Sequence, residues 1–296
     1  MSKSNRRDFL KSSLAVAGAG TLGSGTLATS AGAAGGASSV KPLKLGTVTY
    51  NLAKDWSLDE IFKNLEETGF EGVELRTTHA HGVEVDLTPA QRAEVKKRFE
   101  DSPIELVQLG SAFEFHSPDP EVVRQNIEGT KVYAQLAHDV GASGIKVRPN
   151  GLPEEVPVEK TLEQIGKSLH ECGKTGQELG VEIRVECHGR ETSRIPNMRK
   201  IMDYADHPFV VANWNSNQTD KEDGGFQKNF DLLKDKIKHV HIVDLSREDY
   251  PWRDLFRNLH DIGYQGYCMA EIKGTCDPIR LMQYYRTLFL AYQDVV

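Results

Sequence analysis

Residues 237–245 read IKHVHIVDL. The run is short and rich in β-branched residues, and strand side chains alternate between faces. His239 and His241 therefore point one way, and Val240 and Ile242 the other. Two histidines on one face of an otherwise buried strand are a metal chelate, one ligand with a bystander, or strand packing. The chain around them decides.

Seven further runs of the same texture precede or follow it: LKLGTVTY (43–50), GVELR (72–76), IELVQLG (104–110), SGIKVRP (143–149), VEIRVECH (181–188), FVVANWN (209–215) and GYCMAEI (266–272). Polar segments with helical spacing lie between them. Leu58, Ile61, Phe62 and Leu65 show that spacing in one segment, and Leu162, Ile165, Leu169 and Cys172 in another. Thr88-Pro89 and Asp277-Pro278 mark helix starts, and Gly141 and Gly180 mark helix ends. Eight strands alternating with eight helices over about 250 residues is the pattern of an α/β protein of the (β/α)₈ TIM-barrel type. The competing open, doubly wound sheet carries a glycine-rich phosphate loop after its first strand. TVTYNLAKDW (47–56) has no such glycines. No linker interrupts the pattern, so residues 41–296 are expected to form one barrel domain.

The first forty residues differ in kind. Arg6 and Arg7 precede Phe9, Leu10 and Lys11, and no further charge occurs until Lys41. Between them lie mostly small and mildly apolar residues, ending in an AGA exit at Ala31 to Ala33. This order matches a twin-arginine export signal, an address read by translocation machinery that moves folded proteins. Residues 1–40 are thus expected to be a signal peptide and small-residue linker, and the body to be periplasmic or otherwise extracytoplasmic. The leader holds four of the 36 basic residues and one of the 43 acidic ones, leaving a body of net charge −10. Such a body is unsuited to neutralising phosphates, so no nucleic-acid partner is expected. Mean hydropathy is −0.47, and no membrane span is expected in the mature protein. Cys172, Cys187, Cys268 and Cys276 lack zinc-like spacing, and Cys187 and Cys268 fall within strand-like runs, which points to buried free thiols.

Barrel enzymes work at the C-terminal ends of their strands. There strand five offers Glu186 and His188, strand six Asn213 and Asn215, strand seven His241, and strand eight Glu271. Two carboxylates, an imidazole and a carboxamide at one mouth suit a hard or borderline divalent ion: Mn²⁺, Mg²⁺, Co²⁺ or Zn²⁺. Without a cation or a shared proton, Glu186 and Glu271 would be buried like charges. His239 falls one layer lower, where barrel interiors are packed, so one ligand with one bystander is the expected answer to the histidine pair. Softer candidates at the same mouth are His79 and His81, then Phe113, Glu114 and His116, then Lys146 and Arg148. Polar and aromatic groups of this kind suit the hydroxyls and ring faces of a sugar, and equally a polar loop surface. Tyr250 and Trp252, in YPWRDLF (250–256), read as packing at the start of a helix.

The spacing of VECHG, WNSNQTD, HVHIVDL and the late AEI resembles the sugar phosphate isomerase/epimerase family of xylose-isomerase-like barrels, over essentially residues 43–296. The resemblance implies a metal held by Glu186, the strand-six residue, His241 and Glu271. It also implies that Glu186 and Glu271 are the catalytic pair that transfers protons next to a carbonyl. It further suggests Arg247, six residues after His241, as a substrate-binding arginine, beside His188, Lys146, Arg148, Glu114 and His116. Two positions depart from the family. Its strand-six aspartate is Asn215, which keeps an amide oxygen but no charge, and the histidine often found three residues on is Gln218. The expected partner is a sugar or sugar derivative, with a homo-oligomer left open. The alternatives are a lyase or hydrolase of 3-keto-glycosides using the same metal site, or a non-catalytic carbohydrate-binding barrel.

Overall fold

The computed structural model describes residues 41–294; the leader lies outside the described residues. Eight parallel strands close into a barrel in chain order, with the first bonded to both the second and the eighth. The strands are β1 (Lys44–Val48), β2 (Gly72–Arg76), β3 (Glu105–Glu114), β4 (Gly144–Arg148), β5 (Glu182–Glu186), β6 (Val210–Asn215), β7 (Ile237–Ile242) and β8 (Tyr267–Ala270). The helices are α1 (Leu58–Thr68), α2 (Pro89–Glu100), α3 (Pro120–Val140), α4 (Val158–Leu179), α5 (Ile195–Ala205), α6 (Phe226–Leu233), α7 (Trp252–Asp261) and α8 (Pro278–Tyr292). The expected (β/α)₈ architecture is therefore observed.

Local chemistry explains where the helices begin and end. Ser57 with Glu60 and Thr88 with Gln91 form reciprocal capping boxes at α1 and α2, each satisfying two backbone N–H groups that the helix leaves free. Gly141 and Gly180 close α3 and α4 with positive φ, a conformation that would strain a side chain. Tyr250 and Trp252 are buried around the start of α7, as their packing role requires.

The outward faces of the strands pack under the helices in one large apolar core that includes Ile183, Val185, Trp214, Val240 and Ile242. Val48, Val107, Tyr267 and Met269 form a separate small apolar cluster. A Cβ at Gly46 would lie 2.6 Å from the Met269 sulfur, so only glycine lets that side chain cross the barrel. Beside this cluster the strands bury polar residues, among them Glu74, Gln108, Lys146, Arg184, Asn213, His239 and His241. Three of the four free cysteines, Cys172, Cys187 and Cys268, are buried, and Cys276 is exposed. Among the described residues no helix is long and apolar enough to cross a membrane.

Candidate active site

Register delivers the site. Asn215 on β6 pairs with His241 on β7, and Glu186 on β5 lies level with Asn213, which in turn pairs with His239. Glu271 is the first residue beyond β8, and its N–H bonds the carbonyl of Ile242. The residues read from the last four strands thus converge. His241 Nδ1 lies 3.5 Å from Glu186 Oε1 and 3.7 Å from Glu271 Oε2. Asn215 Nδ2 donates to Glu186 Oε1 at 3.2 Å.

Two of these groups are left incomplete. His241 Nδ1 and Asn215 Oδ1 are buried without a hydrogen-bond partner. Buried polar atoms are normally satisfied, so unpartnered ones facing two carboxylates call for a further group. Bonds of ~2.1 Å to a first-row divalent ion place neighbouring donors about 3.0 to 3.5 Å apart, close to the separations around His241 Nδ1. The donor set of two carboxylates, an imidazole and an amide oxygen fits such an ion.

Behind the imidazole stands a residue that reading only the late strands does not reach. Glu74, in mid-β2, is fully buried, and its Oε2 lies 2.7 Å from His241 Nε2. Burial works against its charge, but His241, with help from Lys146 and Gln108, outweighs this and keeps the carboxyl below its ordinary value. An ionised carboxylate only accepts, so Nε2 carries the hydrogen and the opposite nitrogen, Nδ1, is turned toward Glu186 and Glu271. A carboxylate behind a ligating histidine is the usual way to fix the ring's tautomer and raise its basicity. A Cβ at Gly110 would lie 2.5 Å from Glu74 Oε1, so a glycine on the neighbouring strand makes room for the carboxylate.

Charge at the centre is dense. Burial also works against Glu186, yet the Lys146 ammonium, followed by His241, holds it well below the usual carboxylate range. His241 moves the other way: burial disfavours its charge, but Glu74, Glu186 and Glu271 together hold it well above its ordinary value. A divalent ion would displace that proton from Nδ1. His239, one level down, is pushed well below its ordinary value by burial, with the Arg184 charge adding to the effect. Its Nε2 is 3.8 Å from Glu74 and makes no hydrogen bond. The pair that opened the sequence reading is thus one histidine at the centre and one neutral neighbour beneath it.

A cavity of about 830 Å³ opens above the centre. Glu186, Asn215, Glu271, His188 and Arg247 line it, together with Tyr50 and Tyr285. Arg247 pairs with Asp249, whose other oxygen accepts from Gln218 at 2.5 Å. The remaining sequence candidates are placed differently. Lys146, expected to bind substrate, is 4% exposed, and its Nζ bonds Glu186 Oε2 at 2.9 Å beneath the cavity. It sits on β4 level with Arg184 and does not line the cavity. Glu114, His116 and Arg148 form a group beside the cavity: Arg148 and Asn150 both donate to Glu114 Oε1, and His116 Nδ1 is 3.9 Å from Glu114 Oε2. Asn150 joins this group to the centre. Its amide N–H goes to Glu114, so its oxygen must accept from His188 Nδ1, at 2.8 Å, leaving His188 Nε2 as the acceptor nitrogen of a neutral ring. His79 and His81 are held in loop packing. His79 Nδ1 bonds the Thr49 hydroxyl, His81 Nε2 the carbonyl of Arg76, and burial, with the nearby Arg76 charge, lowers His79 to about 4.

The closed eight-stranded parallel barrel thus gathers carboxylates and one oriented imidazole at the C-terminal ends of its strands. The chain belongs to the xylose isomerase-like TIM barrel family, whose model matches residues 62–287. Residues 3–23 match the signal sequence of the twin-arginine translocation pathway. Fructoselysine 3-epimerase of Escherichia coli O157:H7 is 20% identical over 246 residues, covering 73% of this chain and 85% of that protein. The structure of 3-keto-D-glucoside 4-epimerase from E. coli superposes with a TM-score of 0.71 at 17% identity, over 84% of this chain and 99% of that one. The IOLI protein with a bound zinc atom superposes with a TM-score of 0.71 at 16% identity, over 84% and 98%. At these identities the structural likeness is one of fold.

Proposed function

We propose that the protein is a sugar isomerase or epimerase, exported by the twin-arginine machinery to work outside the cytoplasm. Its chemistry is the breaking of a C–H bond next to a carbonyl, assisted by a divalent ion held by Glu186, Asn215, His241 and Glu271. The observation that carries this reading is the unpartnered His241 Nδ1, buried and turned toward both glutamates with Glu74 behind it. Mn²⁺, Mg²⁺, Co²⁺ and Zn²⁺ all suit the donor set. When bound, the ion supplies Lewis acidity for the carbonyl.

The chain's own groups divide the remaining work. Glu271, whose side chain is 20% exposed, opens onto the cavity and is assigned the removal of the proton from carbon. Glu186 is the second carboxylate, needed where the proton returns to another face or a neighbouring carbon. His188 Nε2 accepts from a substrate hydroxyl, and Arg247 closes the cavity's outer side. A relative that epimerises fructoselysine and a structural neighbour that epimerises a 3-keto-D-glucoside support a keto-sugar or sugar derivative as substrate.

A second reading, a lyase or hydrolase of 3-keto-glycosides, has one observation in its favour. Glu186 Oε2 is bonded to Lys146 and its Oε1 to Asn215, which leaves Glu271 as the freer base, and elimination beside a keto group needs only one. Incubating a panel of ketoses and 3-keto-glycosides with the ion-loaded protein in D₂O tests both. Deuterium should enter the carbon beside the carbonyl, and Glu271→Gln should slow that exchange about 100-fold or more. A product that keeps the whole substrate skeleton, heavier only by the deuterium taken up, supports isomerisation or epimerisation, and a released aglycone supports the second reading. Sugar binding without exchange in any arm would overturn both in favour of a non-catalytic binding barrel.

A further inference from the structure

Lys146 is the buried charge for which the proposed chemistry has no use. Its side chain is 5% exposed, against 2% for its partner Glu186, so neither is solvated and each depends on the other. Glu186 and Glu74 are the acidic groups that act on it most, with Glu271 contributing less, while Arg184, level with it on β5, is paired with Glu182. The bond it makes is to Glu186 Oε2, while the other oxygen, Oε1, faces Asn215 and His241 Nδ1. One carboxylate oxygen is therefore committed to an ammonium and one is left for the centre. Charge points the same way. Glu74, Glu186 and Glu271 bring three negative charges, Lys146 returns one positive, and with a neutral His241 the remainder matches a single divalent ion.

We propose that Lys146 is a built-in cation of the centre, a positioning residue that holds Glu186 as a one-oxygen ligand and weakens the hold on divalent ions, so that the ion is exchangeable. The inference rests on the ion-binding reading above and deepens it. Without the ammonium, both oxygens of Glu186 become free to face an ion, and one unit of repulsion between fixed cation and ion is removed. At the separations available inside one barrel mouth, that repulsion is worth ~10-fold in affinity or more.

The test is the affinity of the full-length mature protein for Mn²⁺ alone, by calorimetry at mildly alkaline pH, for wild type, Lys146→Met and Lys146→Gln. Lys146→Gln keeps a hydrogen-bond donor for Glu186 Oε2 and removes only the charge, and it carries the test if Lys146→Met does not fold. Both variants should bind Mn²⁺ ~10-fold or more tightly. The visible spectrum of the Co²⁺-loaded Lys146→Met variant should also change as Glu186 offers a second oxygen, and that of Lys146→Gln should change less. In a Glu186→Gln background Lys146→Met should give a smaller gain, because the freed carboxylate oxygen no longer contributes and only the removed repulsion remains. Equal or weaker Mn²⁺ binding by both variants, or an undiminished gain in the Glu186→Gln background, overturns the proposal while leaving the ion site in place. A wild type that binds no ion beside variants that do would support it in its strongest form, the ammonium standing in for the ion, and would sink the metal-dependent reading. No binding by any of the proteins would overturn both.

Discussion

Two buried acidic clusters sit close together in this barrel and are treated in opposite ways. At the centre, Glu74 and Glu186 are surrounded by Lys146 and His241 and are held ionised against the cost of burial. A short distance along the chain, Asp220 is equally buried, but its partners are a hydroxyl and an amide. Its Oδ2 accepts from Tyr250 Oη at 2.6 Å and from the Asn217 N–H at 3.0 Å, and Trp214 Nε1 donates to the same tyrosine at 3.0 Å. Burial dominates there and pushes the Asp220 carboxyl well above its ordinary value. The first cluster keeps charge that a folded core does not need, and that charge faces a cavity. The second gives its charge up and ties β6 to the start of α7. Whether a buried carboxylate is supplied with cations or with hydroxyls separates working acids from structural ones.

The largest effect that could break this contrast is on stability at the centre. Glu186→Gln leaves the Lys146 ammonium buried without its partner, and breaking such a pair costs about 3 to 5 kcal/mol. Denaturant unfolding of the ion-free protein should show that loss, and the Lys146→Met, Glu186→Gln double variant should recover most of it. A single variant as stable as wild type would mean that the pair is solvated and the centre no more demanding than the surface. The next effect is on ion binding. Glu74→Gln removes the charge behind His241 without changing its shape, and Mn²⁺ affinity should fall ~10- to 100-fold. An unchanged affinity would place Glu74 with Asp220, as a structural acid.

The barrel was legible because strands buried under helices must be β-branched and helix ends need caps, and both leave marks in a few adjacent residues. Glu186, Asn215, His241 and Glu271 were legible for a related reason: strand alternation and depth place them at one mouth without any knowledge of side-chain contacts. Glu74 lies beyond the reach of strand ends in the last four strands, because it sits mid-strand in β2. It did leave a signal, a carboxylate between Val73 and Leu75 that period-2 alternation turns into the barrel. Lys146 is legible as an inward residue of β4, but its burial and its partner are not. Its depth follows from register with Arg184 on β5, and its partner lies 40 residues on, so neither could be read from the stretch around it. The link from Glu114 through Asn150 to His188 is equally non-local, and Asn150 takes a positive φ that the sequence does not announce.

The smallest effect tests the structural cluster by its pH dependence. Asp220→Asn keeps an oxygen to accept from Tyr250 and Asn217, so near the unfolded carboxylate value of 3.8 the change should cost within about 1 kcal/mol. The sign then follows from the direction of the shift. In wild type the folded protein retains the Asp220 proton after the unfolded chain has lost it. This group's contribution to stability is therefore full below 3.8 and declines as pH rises toward the folded value. Asparagine does not titrate. The variant should gain on wild type steadily over that window, by up to about 1.4 kcal/mol per pH unit. Thermal melts of the two proteins from acid to neutral pH read this as curves that converge at the acid end, or cross. Glu74 and Glu186, whose values are lowered, contribute in the opposite sense in both proteins, losing their stabilisation as pH falls below the ordinary carboxylate value, so they cancel in the difference. A difference that stays flat with pH would show Asp220 to be ionised in the fold, with Tyr250 supporting a charge, and the two clusters would no longer be opposites.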